Sequence, residues 1–221
     1  MSNSTNPVFA FVLALFQPKD PIWFARVLIT VNFAVFVSMF LSGVDVMSPS
    51  ISELLAWGAN EKNHTFGGEW WRLVTSMFLH GGVLHLLFNM YGLYVAASII
   101  EPMVGKRKMI LLYMSSGVLA SVASATWNEY TVSVGASGAI FGLFGFLLAL
   151  LSTSLFPSDI KMALLRGFAP YIALSLGLGL FMNFDNAAHL GGLFSGLAFG
   201  FIWFVFFSSS VKARIKRYHT G

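Results

Sequence analysis

Ser137 and His189 are the two residues of this chain best suited to covalent chemistry. A serine hydroxyl attacks a carbonyl carbon once a neighbouring base takes its proton, and imidazole is the side chain whose basicity suits that task near neutral pH. The chain has no cysteine, which removes a thiol nucleophile, thiolate metal sites and disulfides together. Ser137 stands in a Gly-Ala-Ser-Gly tetrapeptide at 135–138, and an apolar run follows it. That places it close to a helix N-terminus, where free N–H groups favour developing negative charge. A simple N-cap is the competing role for the same serine. His85 and Asn89 are four apart and share a helix face. They are polar donors for a reaction centre or, alternatively, hydrogen-bonding contacts between packed helices. His80, five residues earlier, reads as structural. Asp185 precedes His189 by four but lies near an aqueous end, so a Ser-His pair without a carboxylate is the more economical reading. Phe141, four after Ser137, projects from the same face and can pack on the His189 ring.

The elements that must hold these residues are membrane helices. Apolar residues make up 57% of the 221 and charged residues 10%, against roughly 25% charged in a soluble domain. With ~20 residues per crossing, the chain has room for about six spans and no sizeable soluble domain. The fold class expected is all-α, a polytopic six-span bundle, with spans near 22–41, 83–100, 109–127, 137–156, 168–184 and 187–207. Glu101-Pro102, Gly105 with Lys106–Lys108, Pro157-Ser158-Asp159 and 183–186 mark the breaks. Residues 1–21 form a short N-terminal segment whose apolar stretch 8–16 is too short to span, and 208–221 form a basic tail. The connection 42–82 is long and Trp-rich, which suits a segment laid partly into the membrane interface.

Charge orients the bundle. Eleven of the thirteen basic residues fall on the side of the two termini, and only Lys62 and Arg72 on the other. By the positive-inside rule both termini are cytoplasmic, and the tail suits anionic lipid better than nucleic acid. His85, Asn89, Ser137 and His189 then share one depth, in the half away from the cytoplasm. Two glycine stripes can bring that layer together: Gly138, Gly142 and Gly145 before the fourth span's midpoint, and Gly192, Gly196 and Gly200 in the sixth. Small residues at such spacing let membrane helices approach backbone to backbone.

Taken together, four pieces resemble the rhomboid family of intramembrane serine proteases. They are Glu69-Trp70-Trp71-Arg72, the run His80-Gly-Gly-Val-Leu-His85-Leu-Leu-Phe-Asn89, the tetrapeptide 135–138, and Asp185-Asn-Ala-Ala-His189-Leu-Gly-Gly192. The likeness covers about 22–207. It implies Ser137 as nucleophile and His189 as general base and acid. It implies an oxyanion hole from the side chains of His85 and Asn89 with the Ser137 N–H, and Gly135 shaping the loop. Trp71 and Arg72 would mark a membrane-embedded loop, and Glu101, followed by Gly105, a structural polar position. Position 141 is Phe where many bacterial members have Tyr, so the ring is kept and the hydroxyl lost. The implied activity is peptide-bond hydrolysis in single-span membrane substrates, with no cofactor or metal, in a bacterial inner membrane. A catalytically inactive relative that binds membrane helices is the alternative. A metal or haem site from His80, His85 and His189 would explain neither the tetrapeptide nor Asn89, and the lack of matching halves disfavours a transporter.

Overall fold

The computed structural model describes residues 21–127, 132–179 and 185–220, the side chains at 178–179 and 208–220 excepted. The apolar stretch 8–16, and the loop residues Glu129, Tyr130, Asn183 and Phe184, lie outside them. The described chain is helical, and no strand occurs in it beyond one isolated bridge between Asn60 and Ser133. Six long helices carry the architecture: α1 (Trp23–Leu41), α5 (Val83–Val104), α6 (Lys106–Trp127), α7 (Ser137–Ser152), α8 (Ser158–Gly179) and α9 (Asn186–Thr220). Three short ones, α2 (Ile51–Ala56), α3 (Lys62–Phe66) and α4 (Arg72–Thr75), fill the first long connection. The protein is a multi-pass integral membrane protein. α1, α5, α6 and the stretch Asn186–Phe207 of α9 each have the length and apolarity to cross a bilayer unaided.

α7 is different, and it is the centre of the bundle. At 16 residues it is about 24 Å long, short of the ~30 Å hydrocarbon layer. Thirteen of its residues are buried, so it faces other helices rather than lipid and has no bilayer thickness to match. It packs mainly on α9, then on α6 and α5. The expected fourth span ran on to 156, but the helix stops at Ser152. The hydroxyls of Ser152 and Thr153 donate to the carbonyls of Ala149 and Leu150 and satisfy the end of the ladder.

Other boundaries also move. Glu101-Pro102 does not break α5, which ends at Gly105 with φ +85°. A proline in the last turn removes only one ladder bond. Glu101 is buried because its carboxylate accepts the N–H groups of Phe24 (2.7 Å) and Ala25 (3.0 Å), capping α1. α8 begins ten residues earlier than its apolar run, at Ser158, with Asp159 in its first turn and Lys161 donating to Thr153 O at 2.6 Å.

The connection 42–82 is ordered, around a satellite core of Met39, Val44, Leu54, Ala59 and Leu79. Ser50 and Glu53 close α2 with a reciprocal capping box. Arg72 is buried: its Nη1 donates to the carbonyls of Leu55 and Ala59, and its Nε to Glu69 at 2.6 Å. One guanidinium thereby ties α2, α4 and the turn between them. Trp70 and Trp71 remain exposed on the outside of this loop.

Candidate functional site

Ser137 opens α7, in a turn whose N–H groups have no intrahelical acceptor. The cap position belongs to Ala136, and no side chain caps the helix. The hydroxyl of Ser137 is therefore not used as a cap. The chain enters through Gly135 at φ +120°, a conformation that residues with a Cβ rarely adopt. A methyl there would also stand 2.9 Å from Cε1 and Nε2 of His85. The Gly135 N–H is anchored on Ser76 O at 2.9 Å. Two residues upstream, Ser133 exchanges backbone bonds with Asn60 at 2.8 and 3.0 Å. Asn60 is itself held by its amide, which donates to Ser121 O, and by the Thr65 hydroxyl, which donates to its carbonyl oxygen.

His189 sits in the first turn of α9. Asp185 caps that helix: one carboxylate oxygen accepts the Ala188 N–H at 3.0 Å, and the other accepts the Ser124 hydroxyl from α6. This is a helix-starting role, with no bond from the Asp185 carboxylate to the His189 ring among the hydrogen bonds described. His189 Nδ1 is buried and has no hydrogen-bond partner among the described residues.

The two glycine stripes do meet. A methyl on Gly192 would collide with the carbonyl oxygen of Gly138, one on Gly196 with that of Gly142, and one on Gly145 with that of Leu193. A methyl on Gly200 would stand 2.6 Å from Ala149 Cβ and 2.8 Å from Phe146 O. α7 and α9 thus touch backbone to backbone along the whole contact. With that spacing His189 Nε2 lies 2.9 Å from Ser137 Oγ. The Phe141 ring stacks on the imidazole at 4.4 Å between centroids and 5° between planes. Phe141 is wholly buried and His189 nearly so.

Polar donors line the same space. The Gly81 N–H donates to His85 Nδ1 at 3.3 Å. In a neutral ring that leaves the proton on Nε2, the nitrogen beside Gly135. Asn89 is buried and donates one amide hydrogen to His85 O at 2.9 Å. His80 stands behind, buried, with its ring edge-to-face on His85 at 5.3 Å. Burial, with His85 close by, pushes its pKa down to about 3. Ser137, His189, His85 and Asn89 all line one cavity of about 900 Å³, whose wall includes Leu87 and Tyr91 of α5 and Tyr171 of α8.

The remaining expected residues lie away from this cavity. Arg72 braces the 42–82 connection, and Trp71 lies against its guanidinium on the outside. Glu101 is sixteen residues beyond His85, about 24 Å along α5. Among the described residues no three His, Asp or Glu side chains gather as a metal-binding group. Asn60, Ser76 and Ser124, which hold the two ends of the site in place, carry no motif of their own.

Comparison with known proteins gives a consistent picture. The family model for the Rhomboid domain matches residues 67–206. The chain is 40% identical over 157 residues to "RHOMBOID-like protein 6, mitochondrial" of Arabidopsis thaliana, covering 71% of this chain and 51% of that protein. It is 37% identical over 186 residues to "Rhomboid protease GluP" of Bacillus subtilis (strain 168), covering 83% and 35%. To "Putative rhomboid protease YdcA" of the same bacterium it is 37% identical over 141 residues, covering 61% and 68%. The chain spans about half or less of the first two.

Proposed function

Since the chain belongs to the rhomboid family, we propose that it is an intramembrane serine endopeptidase working through Ser137 and His189. The observation that carries this reading is the 2.9 Å contact between His189 Nε2 and Ser137 Oγ inside a polar-lined cavity of the bundle. Ser137 Oγ attacks the scissile carbonyl as its proton passes to His189 Nε2. The oxyanion that forms is met by the Ser137 N–H, His85 Nε2–H and the amide of Asn89. Collapse of the tetrahedral adduct expels the amine, which takes the proton from His189, and leaves an acyl-enzyme on Ser137. Water, deprotonated by the same imidazole, then releases the acid. No carboxylate is needed in this scheme. The Phe141 ring holds the imidazole plane instead.

The substrate class is a single-span membrane protein. A helical segment hides its carbonyls in its own hydrogen bonds, so the segments cut are those that unwind readily, with a small residue before the cut as the family resemblance implies. Both termini lie in the cytoplasm, on the strength of the basic-residue bias. The home membrane is a bacterial cell membrane, in line with the two Bacillus relatives.

The test is covalent labelling by a fluorophosphonate together with cleavage of a model single-span substrate. Wild type is labelled and cuts, Ser137→Ala loses both, and His189→Ala loses cleavage. Labelling that survives Ser137→Ala would sink the nucleophile assignment. A folded wild type that neither labels nor cuts would leave the inactive, helix-binding alternative in its place.

A further inference from the structure

At the end of the bundle remote from Ser137, three cations follow one another: Lys106, Arg107 and Lys108. Lys108 leans onto α9, with its Nζ 4.0 Å over the Trp203 ring and 4.2 Å over the Phe207 ring. Two ring faces hold the ammonium in place by cation–π attraction. They are not oxygen acceptors, and an ammonium carries three N–H donors. Among the described residues no carboxylate pairs with Lys108; Glu61 goes to His64 and Glu69 to Arg72. Glu101, the nearest acid in sequence, gives its oxygens to the N–H groups of Phe24 and Ala25.

A groove of about 150 Å³ runs from Lys108 between α6 and α9, walled by Leu111, Leu112, Phe146, Phe199 and Ile202. Leu111 and Ile202 are more than half exposed, so the groove lies on the bundle surface that meets lipid. It is apolar except at its ends, and its head is a positioned cation. The same helix α9 continues past Phe207 into a sequence with Lys212, Arg214, Lys216 and Arg217.

We infer that this groove is a binding site for one anionic phospholipid, whose phosphate meets Lys108 while an acyl chain lies between α6 and α9. An apolar slot attached to the cation selects a lipid over a free anion, which would leave the slot unused. The excess of positive charge selects an anionic headgroup over a zwitterionic one, which brings its own cation. Each basic residue at a membrane surface favours anionic lipid by about five-fold.

Trp203 in the wall is the reporter. Protein in phosphatidylcholine nanodiscs receives a small fraction of phosphatidylglycerol or phosphatidylcholine brominated on the acyl chain. The Trp203 share of the quenching is taken as the difference from Trp203→Phe, which keeps a ring under Lys108. Brominated phosphatidylglycerol is expected to quench Trp203 about five-fold more effectively than brominated phosphatidylcholine. Lys108→Gln should bring the ratio close to one. Lys108→Arg and the control Lys161→Gln should keep it, and millimolar inorganic phosphate should leave it unchanged. Equal quenching by the two lipids in wild type, a ratio untouched by Lys108→Gln, or loss of the preference to inorganic phosphate would each overturn the site.

Discussion

Replacing Gly196 by alanine should disable this protein through a single methyl group. In an ordinary helix the change is mildly favourable, since alanine is the better helix former by roughly 1 kcal/mol. Here the new Cβ would overlap the Gly142 carbonyl oxygen and stand 2.9 Å from Gly142 Cα. Carbon atoms rest at about 3.5–4.0 Å, so α7 and α9 must part by about 1 Å. The obstacle is backbone, which has no rotamer to change. Overpacking of this kind costs about 1–3 kcal/mol. The Ser137–His189 contact is 2.9 Å and lies one turn and more along the same helix pair. Adding about 1 Å takes it beyond hydrogen-bond range, a misplacement worth about 100-fold in rate. Gly167 is the internal control, because a methyl there meets nothing within 4 Å. The assay is kcat on a model single-span substrate, with thermal unfolding in the same detergent. Gly196→Ala should lower both, and Gly167→Ala should lower neither. A Gly196→Ala protein with wild-type kcat and wild-type unfolding temperature would refute the claim that backbone contact sets the Ser-His distance.

Three further outcomes can be checked. Phe141→Leu removes the stacked ring, a contribution of about 0.5–1.5 kcal/mol to holding the imidazole, so kcat should fall up to about ten-fold with little change in KM. Asn60→Ala leaves the buried Thr65 hydroxyl without its acceptor and takes a second donor from the Ser121 carbonyl, and at about 1–3 kcal/mol for the unsatisfied hydroxyl it should lower the unfolding temperature clearly. His80 has its pKa depressed in the fold to about 3 from an ordinary 6.5, so its contribution to stability is present above pH 6.5 and is lost as pH falls towards 3. Unfolding temperature measured across that window should therefore drop less steeply in His80→Gln than in wild type.

The Ser137–His189 pair was legible because both of its supports leave a periodic trace. Glycines every three or four residues on two apolar runs announce a close helix contact, and the serine and histidine stand at matching ends of those runs. Phe141 was legible for the same reason, being one turn along from Ser137. The helix ends were less so. Glu101-Pro102 has the composition of a break, yet its carboxylate is recruited by α1, a partner no local window contains. The job of Asp185 was hidden likewise: its bond with Ser124 spans 61 positions and repeats nowhere. Asn60 also works at a separation of 61, on Ser121. Long-range polar anchors are single events, and single events have no period to detect.

The carboxylate of Glu101 has a consequence for how the chain is made. It caps Phe24, which precedes it by 77 positions. At about 5–20 residues per second, Phe24 waits about 4–15 s after its own synthesis before that cap exists. Its leading N–H groups must meanwhile be held by water or lipid headgroups, which keeps that end of the newborn helix at the membrane surface. α1 is therefore docked only when α5 arrives, and Glu101 acts as the latch that sets their register.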